Sequence, residues 1–231
     1  MFYDKVKTIK ACEEDPSLIF EVIKEGYFEL VEEIIDKHKV DINTTDDAGN
    51  DVICRLLKAK QYELTLKYMK KRNWNINHQN KDGNTFAHIL ASINYVNVIE
   101  IINSLNRNKK FIPNIKNNKG ETILDKAINE NYIYTSVQIL KNNRFNNIDI
   151  VSFKHLFDTY IKGTYYGKYA KLNNLEIIVD SLTKKDFLLP SMEKLLDLIV
   201  DNMDNIKQDL LKNKSRELEA MINSLLLEAA S

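Results

Sequence analysis

Residues 80–102 read Asn80-Lys81-Asp82-Gly83-Asn84-Thr85-Phe86-Ala87-His88-Ile89-Leu90-Ala91-Ser92-Ile93-Asn94-Tyr95-Val96-Asn97-Val98-Ile99-Glu100-Ile101-Ile102. Asp82-Gly83 supplies a turn, because glycine tolerates the positive φ that other residues resist. Asn84-Thr85 then offers side-chain oxygens that can cap a helix start. A short amphipathic run from Phe86 to Ala91 follows, Asn94 and Tyr95 interrupt it, and Val96, Val98, Ile99, Ile101 and Ile102 mark a second apolar face. The stretch therefore predicts one turn and two short helices folded back on each other. Such a unit cannot bury both faces alone and needs neighbours of the same kind.

Neighbours exist on both sides. Turn glycines stand at Gly49, Gly83 and Gly120, spaced by 83−49 = 34 and 120−83 = 37 residues, a period that signals a repeat array. The unit resembles the ankyrin repeat, whose Gly-x-Thr-Pro-Leu-His-x-Ala signature is matched by Gly83-Asn84-Thr85-Phe86-Ala87-His88-Ile89-Leu90 at Thr and His but not at Pro or the following Ala. The next copy keeps Gly120-Glu121-Thr122-Ile123-Leu124-Asp125-Lys126-Ala127, and the copy before it keeps little beyond Gly49 and the apolar pattern.

Three prolines and six glycines in 231 residues, against abundant Ile, Leu, Glu and Lys, favour a helical chain, and 44% hydrophobic residues suffice for a core. The 33 basic and 33 acidic side chains cancel, which argues against a general nucleic-acid binder. That balance hides an asymmetry. Residues 1–50 carry 6 Lys/Arg against 13 Asp/Glu, a net −7, while residues 51–120 carry 13 against 4, a net +9. Two readings follow: solvated faces with cations at helix C-termini, or a polarised surface that steers a charged partner. Cys12 and Cys54 read as reduced thiols, and the start of the chain has no signal-peptide core. No run reaches membrane-spanning length, so a cytoplasmic, monomeric protein without a membrane contact is expected, a specialised export route aside.

In chain order, residues 2–12 predict an N-terminal helix with Phe2, Val6 and Ile9 on its inner side, and Asp15-Pro16-Ser17 opens the next helix with Leu18, Ile19, Val22 and Ile23 buried. About four ankyrin-like repeats are expected, at residues 15–45, 46–79, 80–116 and 117–149. The second is to bury Ile53, Leu56 and Leu57 on one helix and Leu64, Leu66, Tyr68 and Met69 on the other, with Lys60 where the inter-helix turn usually has glycine. The expected fold is mainly α: an ankyrin-repeat solenoid over residues 1–150, capped by the N-terminal helix and by a helical region at 151–231. In that last region Val151 to Ile161, Asn174 to Leu182, Pro190 to Ile199, a segment through Leu211, and Ser215 to Ala229 read as helices, with Gly163 to Tyr169 irregular.

Signatures of catalysis are missing. The chain contains no phosphate-binding glycine loop, His-Glu-x-x-His, Gly-x-Ser-x-Gly or Cys-x-x-Cys. His38, His78, His88 and His155 lack metal-ligand spacing, so neither a metal nor a cofactor is expected. By the resemblance, His88 would bond Thr85 and the neighbouring turn backbone. His155 and Asp158 share a helical face but lack a nucleophile, which makes solvent-facing or capping roles the simpler expectation. Tyr165, Tyr166 and Tyr169, between Lys162 and Lys171, either pack between helices, the simpler expectation, or stack bases or grip a partner. Trp74 either packs under its loop or anchors an interface.

The resemblance implies a protein-protein interaction module whose partner is gripped by turn tips and by the exposed face of each first helix. Carried over by register, the partner-binding positions are Asp47, Ala48, Asn50, Lys58 and Ala59; Lys81, Asp82, Asn84, Ser92 and Ile93; and Asn118, Lys119, Glu121, Asn129 and Glu130, with Trp74 as a further candidate. Ile93 is apolar where the scaffold itself asks for nothing. The alternative is an enzyme or effector whose active region is 151–231, with the repeats as a targeting arm.

Overall fold

The structure is a computed structural model that describes residues 4–93, 98–141, 148–164, 166–184 and 188–231. Among these residues the chain forms fourteen α-helices and no strand, with two isolated antiparallel bridges, Thr45 to Asp51 and Gln79 to Thr85. By its contacts it divides into two compact units, Met1–Glu121 and Thr122–Ser231. This boundary is of a different kind from the point near residue 150 where the sequence signature fades.

The first unit holds α1 (Lys5–Glu14), α2 (Ile19–Lys24), α3 (Phe28–Lys37), α4 (Val52–Lys58), α5 (Tyr62–Tyr68), α6 (Phe86–Ala91) and α7 (Val98–Arg107). Short polar side chains start several of these helices: Asp4, Asp51 and Thr85 accept from the amides of Lys7, Cys54 and His88. The hairpins α2–α3 and α4–α5 close through one left-handed residue each, Gly26 at φ +81° and Lys60 at φ +60°. The same bond follows both, from the amide of Tyr27 to Val22 O and of Gln61 to Leu56 O. Successive first helices pack side by side, α2 on α4 and α4 on α6, and α5 packs on α7. Ile19, Val31, Ile34, Ile53, Leu56, Leu57, Phe86, Leu90 and Ile101 fill the core.

Three expectations need correction. Val6 is 75% exposed, whereas Cys12 is fully buried, so α1 turns the face that carries Cys12, and not the one that carries Val6, toward the core. Polar ties from Lys5 to Glu33 (2.5 Å) and from His38 to Glu13 (2.7 Å) hold α1 there. Phe2 lies outside the described residues. Leu18 is exposed, since Pro16–Leu18 forms a 3₁₀ turn ahead of α2. On α5 the buried face is Thr65, Tyr68 and Met69 at i, i+3, i+4, leaving Leu64 and Leu66 on its flanks. Thr65 can face inward because its hydroxyl donates to Gln61 O at 2.7 Å.

The second unit holds α8 (Ile123–Asn129), α9 (Ile133–Leu140), α10 (Ile150–Phe157), α11 (Lys168–Thr183), α12 (Pro190–Asp201), α13 (Met203–Lys212) and α14 (Ser215–Ala230). The hairpin α8–α9 is built like those of the first unit, with Asn131 at φ +61° and the Tyr132 amide donating to Ala127 O. The expected helix from Val151 to Ile161 instead ends at Phe157 and widens into a π turn over Asp158–Lys162. This turn sets the buried Tyr160 hydroxyl 2.9 Å from Ser136 Oγ and 3.3 Å from Ala127 O, while Asn174 donates to Tyr160 O. Helix α11 already begins at Lys168, so Tyr169 is helical and the irregular stretch is shorter than expected. The helices α11 to α14 then pack on one another around Leu182, Leu195, Ile199, Ile206 and Leu226. No helix among the described residues is long and apolar enough to cross a membrane.

Candidate functional site

Three turns of one construction recur in the first unit. Each opens on Asp46, Asn80 or Asn117, whose side-chain Oδ1 accepts the amides two and four residues on: Ala48 and Asn50, Asp82 and Asn84, Lys119 and Glu121, all at 2.8–3.0 Å. The backbone closes each turn twice, as from the Asn80 amide to Asn84 O (3.0 Å) and from the Gly83 amide to Asn80 O (2.9 Å). The glycines Gly49, Gly83 and Gly120 sit at φ +78°, +74° and +77°. At Gly83 a side chain would also run into the next turn, since a Cβ would lie 2.6 Å from the amide nitrogen of Asn118.

Consecutive turns are joined. The Lys81 amide donates to Ala48 O and the Asn118 amide to Asp82 O, both at 3.0 Å. Side chains repeat the connection, Asn80 Nδ2 donating to Asn50 Oδ1 and Asn117 Nδ2 to Asn84 Oδ1. Asn118 Nδ2 also reaches Lys81 O. Beneath the row, His78 bonds Gly49 O through Nε2 at 2.8 Å, and Gln79 Nε2 spans Gly83 O and Lys116 O. His88 is wholly buried. Its Nδ1 accepts from the Thr85 amide and faces the Thr85 hydroxyl at 2.8 Å, so its Nε2–H donates to Glu121 O at 2.9 Å. A histidine at this position therefore fixes a helix start to the following turn.

The expected contact residues fall into three groups. Asp47, Ala48, Lys58, Lys81, Asp82, Asn118 and Lys119 are exposed, as are Asn129 and Glu130 in the second unit. Ala59, Asn84, Ser92, Ile93 and Glu121 are half-buried. Asn50 and Trp74 must be withdrawn as surface contacts, being 1% and 5% exposed. Asn50 is enclosed by Asp46, Asn80 and the Lys58 ammonium (2.9 Å). Trp74 packs edge-on against Phe86 at 5.1 Å and donates its indole N–H to the buried carboxylate of Asp51 at 2.9 Å. The composition of a lone Trp before Asn75-Ile76-Asn77 left both readings open, and the buried acceptor decides between them.

The groups weighed for chemistry lie apart. Asp158 pairs with Lys154 (3.0 Å) and His155 Nδ1 faces Asp125 at 3.9 Å. Tyr166 donates to Asn131 (3.1 Å), Tyr169 is exposed, and Tyr165 lies outside the described residues. Burial pushes the Cys12 and Cys54 thiols up, away from the reactive thiolate. Among the described residues no three of His, Cys, Asp and Glu come together as a metal would need. An open depression of about 650 Å³ lies between Lys5 and Glu33 at the α2–α3 turn, lined also by Tyr27, Phe28 and Leu30.

Sequence reasoning missed one recurring set. Asn43 donates to Asn73 O (2.9 Å) and accepts from the Asn75 amide (2.8 Å), and Asn77, 34 residues on, does the same with Lys110 O (2.8 Å) and the Ile112 amide (3.0 Å). The signal was the shared interval from Asn43 to Asp46 and from Asn77 to Asn80. Compared with known proteins, the chain matches no protein-family model and no curated protein.

Proposed function

We propose that this chain is a protein-binding module built on an ankyrin-like repeat solenoid, and that it holds its partner through turn tips and the exposed face of the first helices. The observation that carries the reading is the row of three turns, 34 and 37 residues apart, joined by the same amide-to-carbonyl bond. Turns so joined present their tips at fixed spacing, and a preorganised surface loses little entropy when a partner docks. Lys81, Asp82, Asn118 and Lys119 supply charged and polar contacts on that row, and the half-buried Ile93 on the first-helix side supplies an apolar one.

The test is affinity capture from the native host with the full chain as bait, run beside the variant Lys81→Ala, Ile93→Ala, Lys119→Ala. The reading expects a specific protein partner whose recovery falls by on the order of tenfold with the variant. Equal recovery by both baits would remove this face from the account.

A further inference from the structure

A second set of loops, distinct in its residues from the turn tips, closes α5 and α7. Within it Lys70 and Arg72 follow α5, while Arg107 ends α7 and Lys109 and Lys110 follow it, all five exposed. The two loops lie against each other: Asn77, at the end of the first, bridges to Lys110 O and the Ile112 amide, and Lys110 Nζ reaches Arg72 O at 3.5 Å. Among the described residues these five cations take no part in an ion pair. Their neighbours behave otherwise, since Lys67 is held by Glu32 and Asp36, and Lys71 by Asp36. Nor does the sequence offer acids nearby along the chain, because residues 64–81 and 101–120 contain no Asp or Glu.

We infer that this ridge binds an extended acidic segment of a protein. Five cations without carboxylate partners among the described residues, on loops held to each other by backbone and amide bonds, form a surface whose complement is anionic. The choice between an acidic peptide and a nucleic acid rests on the other side chains present. Ile112, two residues after Lys110, is 54% exposed and offers an aliphatic contact suited to a peptide side chain. The aromatic residues of these stretches, Tyr68, Trp74 and Phe111, are buried and present no face on which a base could stack. Packed helices lie roughly 8–10 Å apart, and an extended peptide in the polyproline II form rises about 3.1 Å per residue and brings every third side chain to the same face. Carboxylates about three residues apart in the ligand would therefore meet successive loops.

The full chain is titrated by fluorescence anisotropy with a labelled peptide of about 15 residues carrying Glu at every third position and Pro and Leu between, the spacing that polyproline II geometry sets. A single-stranded oligonucleotide of equal charge serves as competitor. Four proteins are compared: wild type, the ridge variant Lys70→Glu, Arg72→Glu, Lys109→Glu, the tip variant Lys81→Ala, Lys119→Ala, and a neutral variant of the ridge. Lys110 is left in place because it bonds the Arg72 carbonyl. The neutral variant Arg72→Gln, Lys109→Gln, with thermal unfolding monitored by circular dichroism, separates lost binding from lost folding. The ridge variant is expected to weaken peptide binding at least about tenfold and the tip variant to change it less than about twofold. Unchanged peptide affinity in the ridge variant, loss in the tip variant instead, or stronger binding of the oligonucleotide than of the peptide would each overturn the assignment. Because the residues differ, failure here leaves the tip reading standing, and failure of the tip reading leaves this one.

Discussion

Gly83 answers two demands at once, a positive φ of +74° and the approach of the Asn118 backbone, while Gly120 answers only the first, with nothing within 4 Å of where a Cβ would be. Gly83→Ala is therefore expected to destabilise the first unit by about 2–3 kcal/mol and Gly120→Ala by about 1 kcal/mol, measured by urea unfolding. Equal losses would mean that the turns are not packed on each other. Asp36 yields a pH prediction. Burial works to raise its pKa, but hydrogen bonds and charge from Lys67 and Lys71 outweigh burial and hold it below the ordinary 3.8. A depressed carboxylate stabilises the fold above its unfolded pKa and loses that contribution as pH falls through the folded value. Wild type should thus lose stability below about pH 3.8, and Asp36→Asn should flatten that part of the profile of melting temperature against pH. At this scale the turn glycines and His88 were legible, because backbone conformation and a local Thr-x-x-His spacing mark them. Trp74 and Asn50 were not, since their fates depend on Asp51 and Asn80, side chains brought in by folding.

Helices are set by local caps and finished by packing, and the two can disagree. Lys60 occupies a left-handed position that Gly26 fills without cost in the preceding hairpin, 34 residues earlier. Lys60→Gly is expected to stabilise the chain by about 1 kcal/mol, read as a shift of the urea midpoint with an unchanged slope. A destabilised variant would show that the lysine side chain contributes more than its backbone conformation costs. Most helix positions could be read from apolar spacing and from the caps Asp15 and Thr85, whereas the caps Asp51 and Thr122 emerged with the structure. Orientation was harder. The inward face of α5 runs through Thr65, which hydropathy places outside, and the π turn at Asp158–Lys162 is dictated by partners of Tyr160 at Ala127 and Ser136, more than twenty residues away.

For the chain as a whole, the repeat interval carried most of what the sequence disclosed. It located the three turns, because each needs glycine at one fixed place. The bonds between turns, from Lys81 to Ala48 and from Asn118 to Asp82, involve backbone groups and leave no residue-type signal. The ridge of cations that take no ion pair among the described residues was visible only as a net charge of +9 over residues 51–120 until the carboxylates that neutralise Lys67 and Lys71 set those two apart. The proposed function depends on those turns being fixed to one another. Residue-resolved amide hydrogen exchange on the full chain measures this directly. The account predicts that the Lys81 and Asn118 amides are protected by about 100-fold or more over the unfolded chain, with both losing protection in Gly83→Ala. Free exchange at Lys81 and Asn118 while the amides of α4 and α6 stay protected would contradict it.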